Sequence, residues 1–218
     1  MASLSRSSGA GWRARVVTLA GALSASLLVS SCISTATPDP LVAGAGEYVL
    51  EKPHSSLIWR VRHMGLSNYT ARFVGIDATL DFDPDDPEAS KLSVVVDPMS
   101  VRTDNPDAPV WDQTIARDFF KAGAYPQIVF RSTSIERTGE ASGNVTGDLS
   151  FLGETHPVTL EVTFNGAISG SPLYRGRDVI GFSAHGSFSR STFGLTRYAS
   201  FVGDDVELQI EAEFSKAR

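Results

Sequence analysis

The chain has 218 residues and a formal net charge of −6, with 19 Lys and Arg against 25 Asp and Glu. Its single cysteine excludes a disulfide within the chain, so the core must be held by burial alone. The acidic balance argues against nucleic acid as a partner, because a phosphate backbone repels a chain of the same sign.

Residues 1–31 have the pattern of a secretory signal. Arg6, Arg13 and Arg15 precede an apolar run at residues 16–29. That run is too short to span a bilayer comfortably, whereas a positively charged start with a short apolar core is typical of an export signal. We therefore predict a signal peptide at residues 1–31, and residues 29–32 indicate that it is a lipoprotein signal peptide.

Residues 29–32, Val-Ser-Ser-Cys, resemble the lipobox of bacterial lipoproteins, in which the cysteine becomes the lipidated first residue. This resemblance predicts lipidation of Cys32, membrane attachment through that anchor, and a cell-envelope protein that faces the periplasm. Ordinary cleavage after Ala36, which would leave a free thiol, is the alternative. Residues 32–46 are rich in Pro, Ala, Thr and Gly without periodicity, which predicts a flexible tether before a barrel domain at 47–218.

The first strongly alternating stretch of this domain lies at residues 57–63. Leu57, Trp59, Val61 and His63 share one face there, which is the pattern of a strand with one buried side. These four side chains should therefore point in the same direction, into the core or a cavity.

Residues 69–82 alternate in the same way over their second half. Phe73 is out of phase with the apolar residues that follow it, so a bulge is expected near Gly75. Five further runs are predicted to be strands, at residues 48–50, 92–97, 128–135, 180–188 and 206–214.

A hairpin at residues 144–165 is the clearest element of the chain. Both of its arms alternate between apolar and polar residues, and residues 153–157, which contain a glycine and a proline, form the predicted tip. Gly147 lies on the apolar face of this hairpin, and Ala184 and Gly186 lie on the apolar face of a later strand. These small residues are expected to leave volume unfilled inside the fold.

Residues 110–122 lack the two-residue period and predict a short helix with Phe119 and Phe120 on its apolar face. The chain then contains eight or nine strands and one helical excursion, without a βαβ pattern. This arrangement favours an all-β fold, an antiparallel barrel, over a sandwich. A barrel of this size holds its own side chains or one slim ligand.

In the predicted barrel domain, the sequence resembles the YceI-like family over roughly residues 47–214. The resemblance is carried by Tyr48, Trp59, His63, Asp118, Phe119, Phe120, Phe130, Gly147, Asp148, Arg190, Phe193, Gly194, Gly203 and Asp204. It implies a lipocalin-like, eight-stranded antiparallel barrel that binds a long apolar chain of the polyisoprenoid or isoprenoid-quinone type. The chain departs from the family at Thr114, where many members have a histidine before the Phe-Phe pair.

The resemblance and the strand faces together predict a set of ligand-binding residues. They are Trp59, Val61, His63, Phe119, Phe120, Phe130, Leu149, Phe151, Phe182 and Phe188. His63 either hydrogen-bonds to a neighbour in the barrel wall or contacts a phosphate or quinone oxygen. The Phe119–Phe120 pair either plugs one end of the barrel or forms a lid over the ligand, and the two roles are compatible.

Signatures of catalysis are missing from the sequence. There is no G-x-S-x-G, H-E-x-x-H or Walker motif, and the four histidines are widely spaced, so no enzyme, cofactor or metal site is expected. Two alternatives to lipid binding stay open. One is a barrel enzyme with His63 or His185 as general base, and the other is a structural envelope lipoprotein with a filled barrel. The oligomeric state is also open, a homodimer included.

Overall fold

Eleven antiparallel strands make up most of the computed structural model, which describes residues 35–218. The predicted signal peptide at residues 1–31 and the predicted lipidation site Cys32 lie outside the described residues. Within residues 35–218, no helix has the length and apolar character needed to cross a membrane.

The strands are β1 (Gly46–Leu50), β2 (Ser56–His63), β3 (Ser67–Phe73), β4 (Ile76–Phe82), β5 (Lys91–Val96), β6 (Val101–Thr103), β7 (Ile128–Arg137), β8 (Ser142–Phe151), β9 (Glu154–Ser171), β10 (Arg177–Ser189) and β11 (Val202–Lys216). Among residues 35–218 the single α-helix, α1 (Val110–Thr114), continues as a π-helical turn over Ile115–Phe119. The helical excursion predicted at residues 110–122 is therefore confirmed.

Eight of these strands close into a ring in the order β1, β4, β5, β7, β8, β9, β10, β11 and back to β1. Strand β1 closes the ring because it pairs on both sides: Tyr48 lies opposite Leu80 of β4 and opposite Lys216 of β11. All of the pairings are antiparallel, so the predicted eight-stranded antiparallel barrel is confirmed. Closure gives every strand of the ring a hydrogen-bonded neighbour on both sides along part of its length.

The other three strands, β2, β3 and β6, prolong the wall beyond β1, β4 and β5. Strand β2 pairs with β11 and β3, and β3 pairs with β6. Between β3 and β4 the chain is interrupted at Val74 and Gly75, where the sequence predicts a bulge. Gly75 lies close to Ser100, which stands between β5 and β6. A Cβ added at Gly75 would lie 2.8 Å from the Cβ of Ser100.

The two ends of the barrel carry different structures. The helix end carries the β2–β3 turn (64–66), α1 and the β10–β11 loop (190–201), and a backbone hydrogen bond joins the turn to the loop. The opposite end carries the β4–β5 connection (83–90), the β7–β8 turn (138–141) and the first described residues of the chain. A hydrogen bond from the backbone of β7 to a side chain of the β4–β5 connection links these two elements.

The hairpin of β8 and β9 turns earlier than the sequence predicted. Its turn consists of Leu152 and Gly153, both with positive φ (55° and 89°), as in the tight turns that suit twisted hairpins. The predicted five-residue tip is wrong, because Pro157 already lies in β9 opposite Asp148. A proline fits there because β10 pairs with β9 only from Leu160 onward, so this part of β9 has one free side.

The inward-facing glycines do not leave the volume that the sequence predicted. A Cβ at Gly147 would collide with the ring of Phe130 and the carbonyl oxygen of Arg131. A Cβ at Gly186 would lie 2.8 Å from Cδ2 of Leu160. Larger neighbours therefore fill both positions, and the glycines serve to admit those neighbours.

Residues 37–46 of the predicted tether pack against the barrel. Thr37 and Ala167 exchange two backbone hydrogen bonds, of 2.9 and 2.8 Å, and Ala43 is fully buried. The amide of Gly44 donates to Oδ2 of Asp178 at 3.2 Å. Burial acts to raise the pKa of Asp178, but hydrogen bonds from backbone amides and from Ser169, together with a nearby lysine, hold it below its ordinary value. The prediction of a flexible connection therefore does not hold for residues 37–46.

Candidate functional site

Two apolar cavities lie inside the barrel. The larger, of about 440 Å³, lies at the helix end beneath the helical segment. The smaller, of about 240 Å³, extends toward the opposite end, and Ala184 forms part of its wall, as its small side chain predicted. Leu57 lines both cavities, so the two spaces meet at this side chain.

Nine of the ten predicted ligand-binding residues line one of these cavities. The larger one is lined by Trp59, Val61, His63, Phe119, Phe120, Leu149, Phe151 and Phe188. Phe182 lines the smaller cavity. Phe130 lines neither; its ring is buried in the core above Gly147, so its predicted place in the ligand site is corrected to a packing position.

The two neighbouring phenylalanines of the helical segment have different surroundings. Phe120 is buried, and its ring centroid lies 6.0 Å from that of Trp59, 5.6 Å from that of Phe73 and 5.8 Å from that of Phe151. These are distances at which aromatic rings attract one another. Phe120 is therefore both a cavity wall and a member of the hydrophobic core.

Phe119 belongs to the outer cover of the cavity. It is half-buried, and its ring lies 5.8 Å from that of Tyr198 in the β10–β11 loop. The guanidinium of Arg197 lies 5.2 Å from the Phe119 ring centroid and 5.0 Å from that of Tyr198. This stack connects the helical segment to the loop across the mouth of the larger cavity, which fits the predicted lid.

Two hydrogen-bonded contacts hold the helix against the wall. The buried carboxylate of Asp112 accepts the amide of Thr103 at 3.0 Å and its hydroxyl at 2.7 Å. Nε1 of Trp111 donates to the hydroxyl of Tyr69 at 2.8 Å. Because Thr103 is in β6 and Tyr69 in β3, the helix is fixed to the strands that it covers.

On the other side of the mouth, one buried arginine organises the β10–β11 loop. The guanidinium of Arg190 donates to four backbone carbonyls that belong to this loop and the start of β11. The acceptors are Gly203 at 2.7 Å, Leu195 at 2.5 Å, Arg197 at 3.0 Å and Val202 at 2.8 Å. Burying a charge requires such partners, and here they also fix the loop that carries the cover residues.

Asp204 adds a second attachment to this loop. Its carboxylate accepts the hydroxyl of Ser191 at 2.7 Å and the amide of Ser191 at 3.0 Å. The Ser191 hydrogen bonds, helped by the charge of Arg190, lower the pKa of Asp204 below its ordinary value. Asp204 therefore stays ionised and bound to the loop at neutral pH.

Few polar groups face the larger cavity. His63 is exposed at its mouth, and in the described part of the chain its ring has no hydrogen-bond partner. Nε1 of Trp59 is buried and likewise lacks an acceptor among the described residues. Thr114, at the position of the family's histidine, donates its hydroxyl to the carbonyl of Val110 at 3.0 Å, within its own helix.

The other candidate base does not face a cavity. His185 is exposed on the outer surface, where its Nε2 lies 3.1 Å from Oε2 of Glu161. Within residues 35–218, no three His, Cys, Asp or Glu side chains are grouped as a metal site requires.

The smaller cavity was not foreseen as a separate space. Its wall is formed around Phe182, whose ring lies 6.4 Å from Phe82, 5.5 Å from Phe164 and 6.2 Å from Phe214. Charged residues at positions 136, 137 and 140 surround its outer part, near the β7–β8 turn. Each of these phenylalanines lies on a predicted strand, but their convergence depends on barrel geometry that the sequence does not show.

Several residues of the larger cavity were missed. Tyr69 and Leu208 lie on predicted strands, and their alternation with polar neighbours could have identified them. Tyr198, Phe201 and Met64 also line this cavity but lie in connections without periodicity. No pattern in the sequence marks these three as cavity residues.

Solved structures with the same fold come from several bacteria. A YceI protein of Campylobacter jejuni is 31% identical, with a TM-score of 0.63, covering 72% of this chain and 90% of that one. The polyisoprenoid binding domain of Saccharophagus degradans, implicated in plant cell wall breakdown, has a TM-score of 0.59 over 78% of this chain and 98% of its own. At 14% identity, the second likeness shows the fold alone.

The sequence comparisons agree with the structural ones. A UPF0312 protein of Pseudomonas putida (strain GB-1) is 35% identical over 179 residues, which cover 81% of this chain and 90% of that protein. Residues 48–214 match the YceI-like domain, a span that runs from β1 to β11. With the barrel, the covered cavity and these matches together, the chain belongs to the YceI-like family.

Proposed function

We propose that this protein binds and sequesters a long apolar lipid of the isoprenoid type, a polyprenyl chain or an isoprenoid quinone, inside its barrel. The observation that carries the proposal is the pair of cavities, of about 440 and 240 Å³, whose walls are almost entirely apolar. Their sizes lie near the range of roughly 300–1,000 Å³ that small-molecule pockets occupy. The Saccharophagus domain, which binds a polyisoprenoid by its name, has the same fold.

Burial of apolar surface is sufficient to drive such binding. Ten methylene-like carbons contribute about 8 kcal/mol, at ~0.8 kcal/mol each. Association costs at least ~4 kcal/mol in lost freedom of motion. The surplus allows useful affinity from the chain alone, so polar groups at the mouth serve to select among headgroups.

The geometry favours binding over the two alternatives. Of the two histidines considered as general bases, His185 lies outside the barrel and cannot reach a molecule in either cavity. His63 lies at the mouth of the larger cavity, where it can contact a headgroup. A purely structural, filled barrel would not keep two open apolar spaces. No cofactor is needed for sequestration.

We place the protein in the cell envelope, facing the periplasm and attached through lipid on Cys32. The export pattern of residues 1–31 and the lipobox-like residues 29–32 support this location. Cys32→Ser is expected to move the protein out of the membrane fraction or to block its processing. Fractionation and gel mobility identical to those of the unaltered protein would contradict the anchor.

Lipid extraction tests the proposed function directly. Native mass spectrometry of the purified protein is expected to show a bound mass that organic solvent removes, and that extract is expected to contain an isoprenoid chain. A protein that neither retains such a lipid nor takes up an added polyprenol would be a filled barrel. Conversion of the added lipid into a product would instead indicate an enzyme.

The two phenylalanines of the helical segment should have separable effects. Phe120→Ala is expected to lower the free energy of unfolding by about 3–5 kcal/mol, because it removes a buried ring. Phe119→Ala is expected to cost much less stability but to accelerate ligand loss, because it opens the cover. Denaturant unfolding and dissociation rates of a fluorescent polyprenyl probe measure the two effects. Equal dissociation rates for Phe119→Ala and the unaltered protein would exclude a lid.

Selection of the headgroup should depend on His63. His63→Leu keeps the approximate shape and removes the hydrogen-bonding nitrogens, so a quinone or prenyl phosphate should bind about 1–2 kcal/mol more weakly. The matching chain without a polar head should bind as before, and His185→Leu on the outer surface is the control. If the headed ligand binds both variants equally well, Trp59→Phe tests whether the unpartnered indole donor serves instead.

A further inference from the structure

Large apolar side chains are exposed together at the helix end. Met64, Leu66, Tyr198 and Phe201 have exposed fractions of 55%, 81%, 48% and 55%. We call these four residues the apolar rim. They come from the β2–β3 turn and the β10–β11 loop, which the backbone hydrogen bond from Met64 to Phe201 joins at 2.6 Å. Single exposed apolar residues are ordinary on protein surfaces, whereas a contiguous group marks an interaction site.

The apolar rim is continuous with the larger cavity. Met64, Tyr198 and Phe201 line that cavity as well as the surface, so a ligand that uses this mouth must pass between them. Tyr198 also belongs to the stack with Phe119 that covers the opening. The surface that surrounds the mouth is therefore apolar on both its inner and its outer side.

The charges around the apolar rim are positive, although the whole chain is acidic. Residues 60–72 and 190–203 contain five arginines and no acidic residue. Arg62 and Arg197 stand at the apolar rim itself, where they donate to the carbonyl of Gly65 at 2.6 Å and to the hydroxyl of Tyr198 at 3.2 Å. Neither arginine forms a salt bridge within residues 35–218.

Acidic side chains near this end lie outside these two segments, and one of them, Asp104, pairs with Arg72 at 3.9 Å. The nearest acidic side chains of the loop region, Asp204 and Asp205, are hydrogen-bonded to Ser191 and Ser189. The adjoining helical turn contributes two basic residues and one acidic residue, at positions 117, 118 and 121. At the opposite end of the barrel, the β4–β5 connection carries four acidic residues within positions 83–88.

We infer that the apolar rim docks the helix end onto an anionic lipid bilayer. Met64, Leu66 and Phe201 enter the boundary of the acyl chains, while Arg62 and Arg197 lie at the level of the phosphates. The lipid ligand then moves between bilayer and cavity without crossing water. The inference rests on the proposed function only for the identity of the molecule that passes through the mouth. Docking itself can be measured without that ligand.

The test uses residues 34–218, which form one compact unit. The fold of this unit matches 90% of the Campylobacter chain and 98% of the Saccharophagus chain, so it is expected to fold by itself. Sedimentation with phosphatidylcholine vesicles that contain phosphatidylglycerol, and no isoprenoid, measures partition. The rim variant combines Leu66→Ser with Arg62→Gln, two residues that do not line the larger cavity. We expect partition to fall roughly fivefold for the arginine and roughly tenfold for the leucine.

The β9–β10 turn supplies a matched control. Leu173 is 88% exposed, and Arg175 is exposed beside it, at the end of the barrel away from the apolar rim. Leu173→Ser with Arg175→Gln changes the same residue types and is expected to leave partition unchanged. Removing phosphatidylglycerol or adding salt should weaken the binding of the unaltered protein to vesicles, because the arginine contribution is electrostatic.

Three outcomes would overturn docking: equal partition of the rim variant and the unaltered protein, an equal loss in the control variant, or an effect of the rim variant on self-association alone. The last would make the apolar rim a contact between copies of this chain. Failure of the proposed function is seen separately, in the lipid extract and in binding of a detergent-dispersed polyprenol. Docking predicts that the rim variant binds the dispersed polyprenol normally but takes it up more slowly from vesicles.

Discussion

The hydrogen bonding of one strand, β11, is the constraint on which the rest of the structure depends. It pairs with β10 along most of its length on one side, and on the other side with β2 and then with β1. Because β1 also pairs with β4, this contact turns a curved sheet into a closed wall. A closed wall keeps backbone groups away from an apolar interior, and the smaller cavity persists behind it.

Closure is complete only in one half of the barrel, and that difference positions the site. Toward the helix end, β6 pairs with β3 and with no other strand of the described residues. The helical segment covers this gap, held to the strands by Asp112 and Trp111. Arg190 holds the facing loop through four carbonyls. The mouth of the larger cavity is therefore formed by the helical segment and the β10–β11 loop, and not by paired strands.

Long alternating segments could be predicted from the sequence because their periodicity is local. The face shared by Trp59, Val61 and His63 is one such case, and the family motifs placed Phe119 and Phe120 beside it at the cavity. What could not be predicted depends on contacts across the barrel. The missing side chain of Gly147 predicts free volume, but the ring of Phe130 fills that volume. The three-residue strand β6 is too short to show a two-residue period.

Opening the cover should require less free energy than opening the wall. Opening the wall would break backbone hydrogen bonds in a ring where every strand has two neighbours. Opening the cover separates Phe119 from Tyr198 and Arg197, a contact of side chains alone. A cation–π contact at such a partly exposed site contributes only about 0.5–1 kcal/mol, and the pair of aromatic rings adds a similar amount. The proposed opening of the cover therefore costs little free energy, because Arg190 and Asp112 hold the two sides of the mouth independently of this contact.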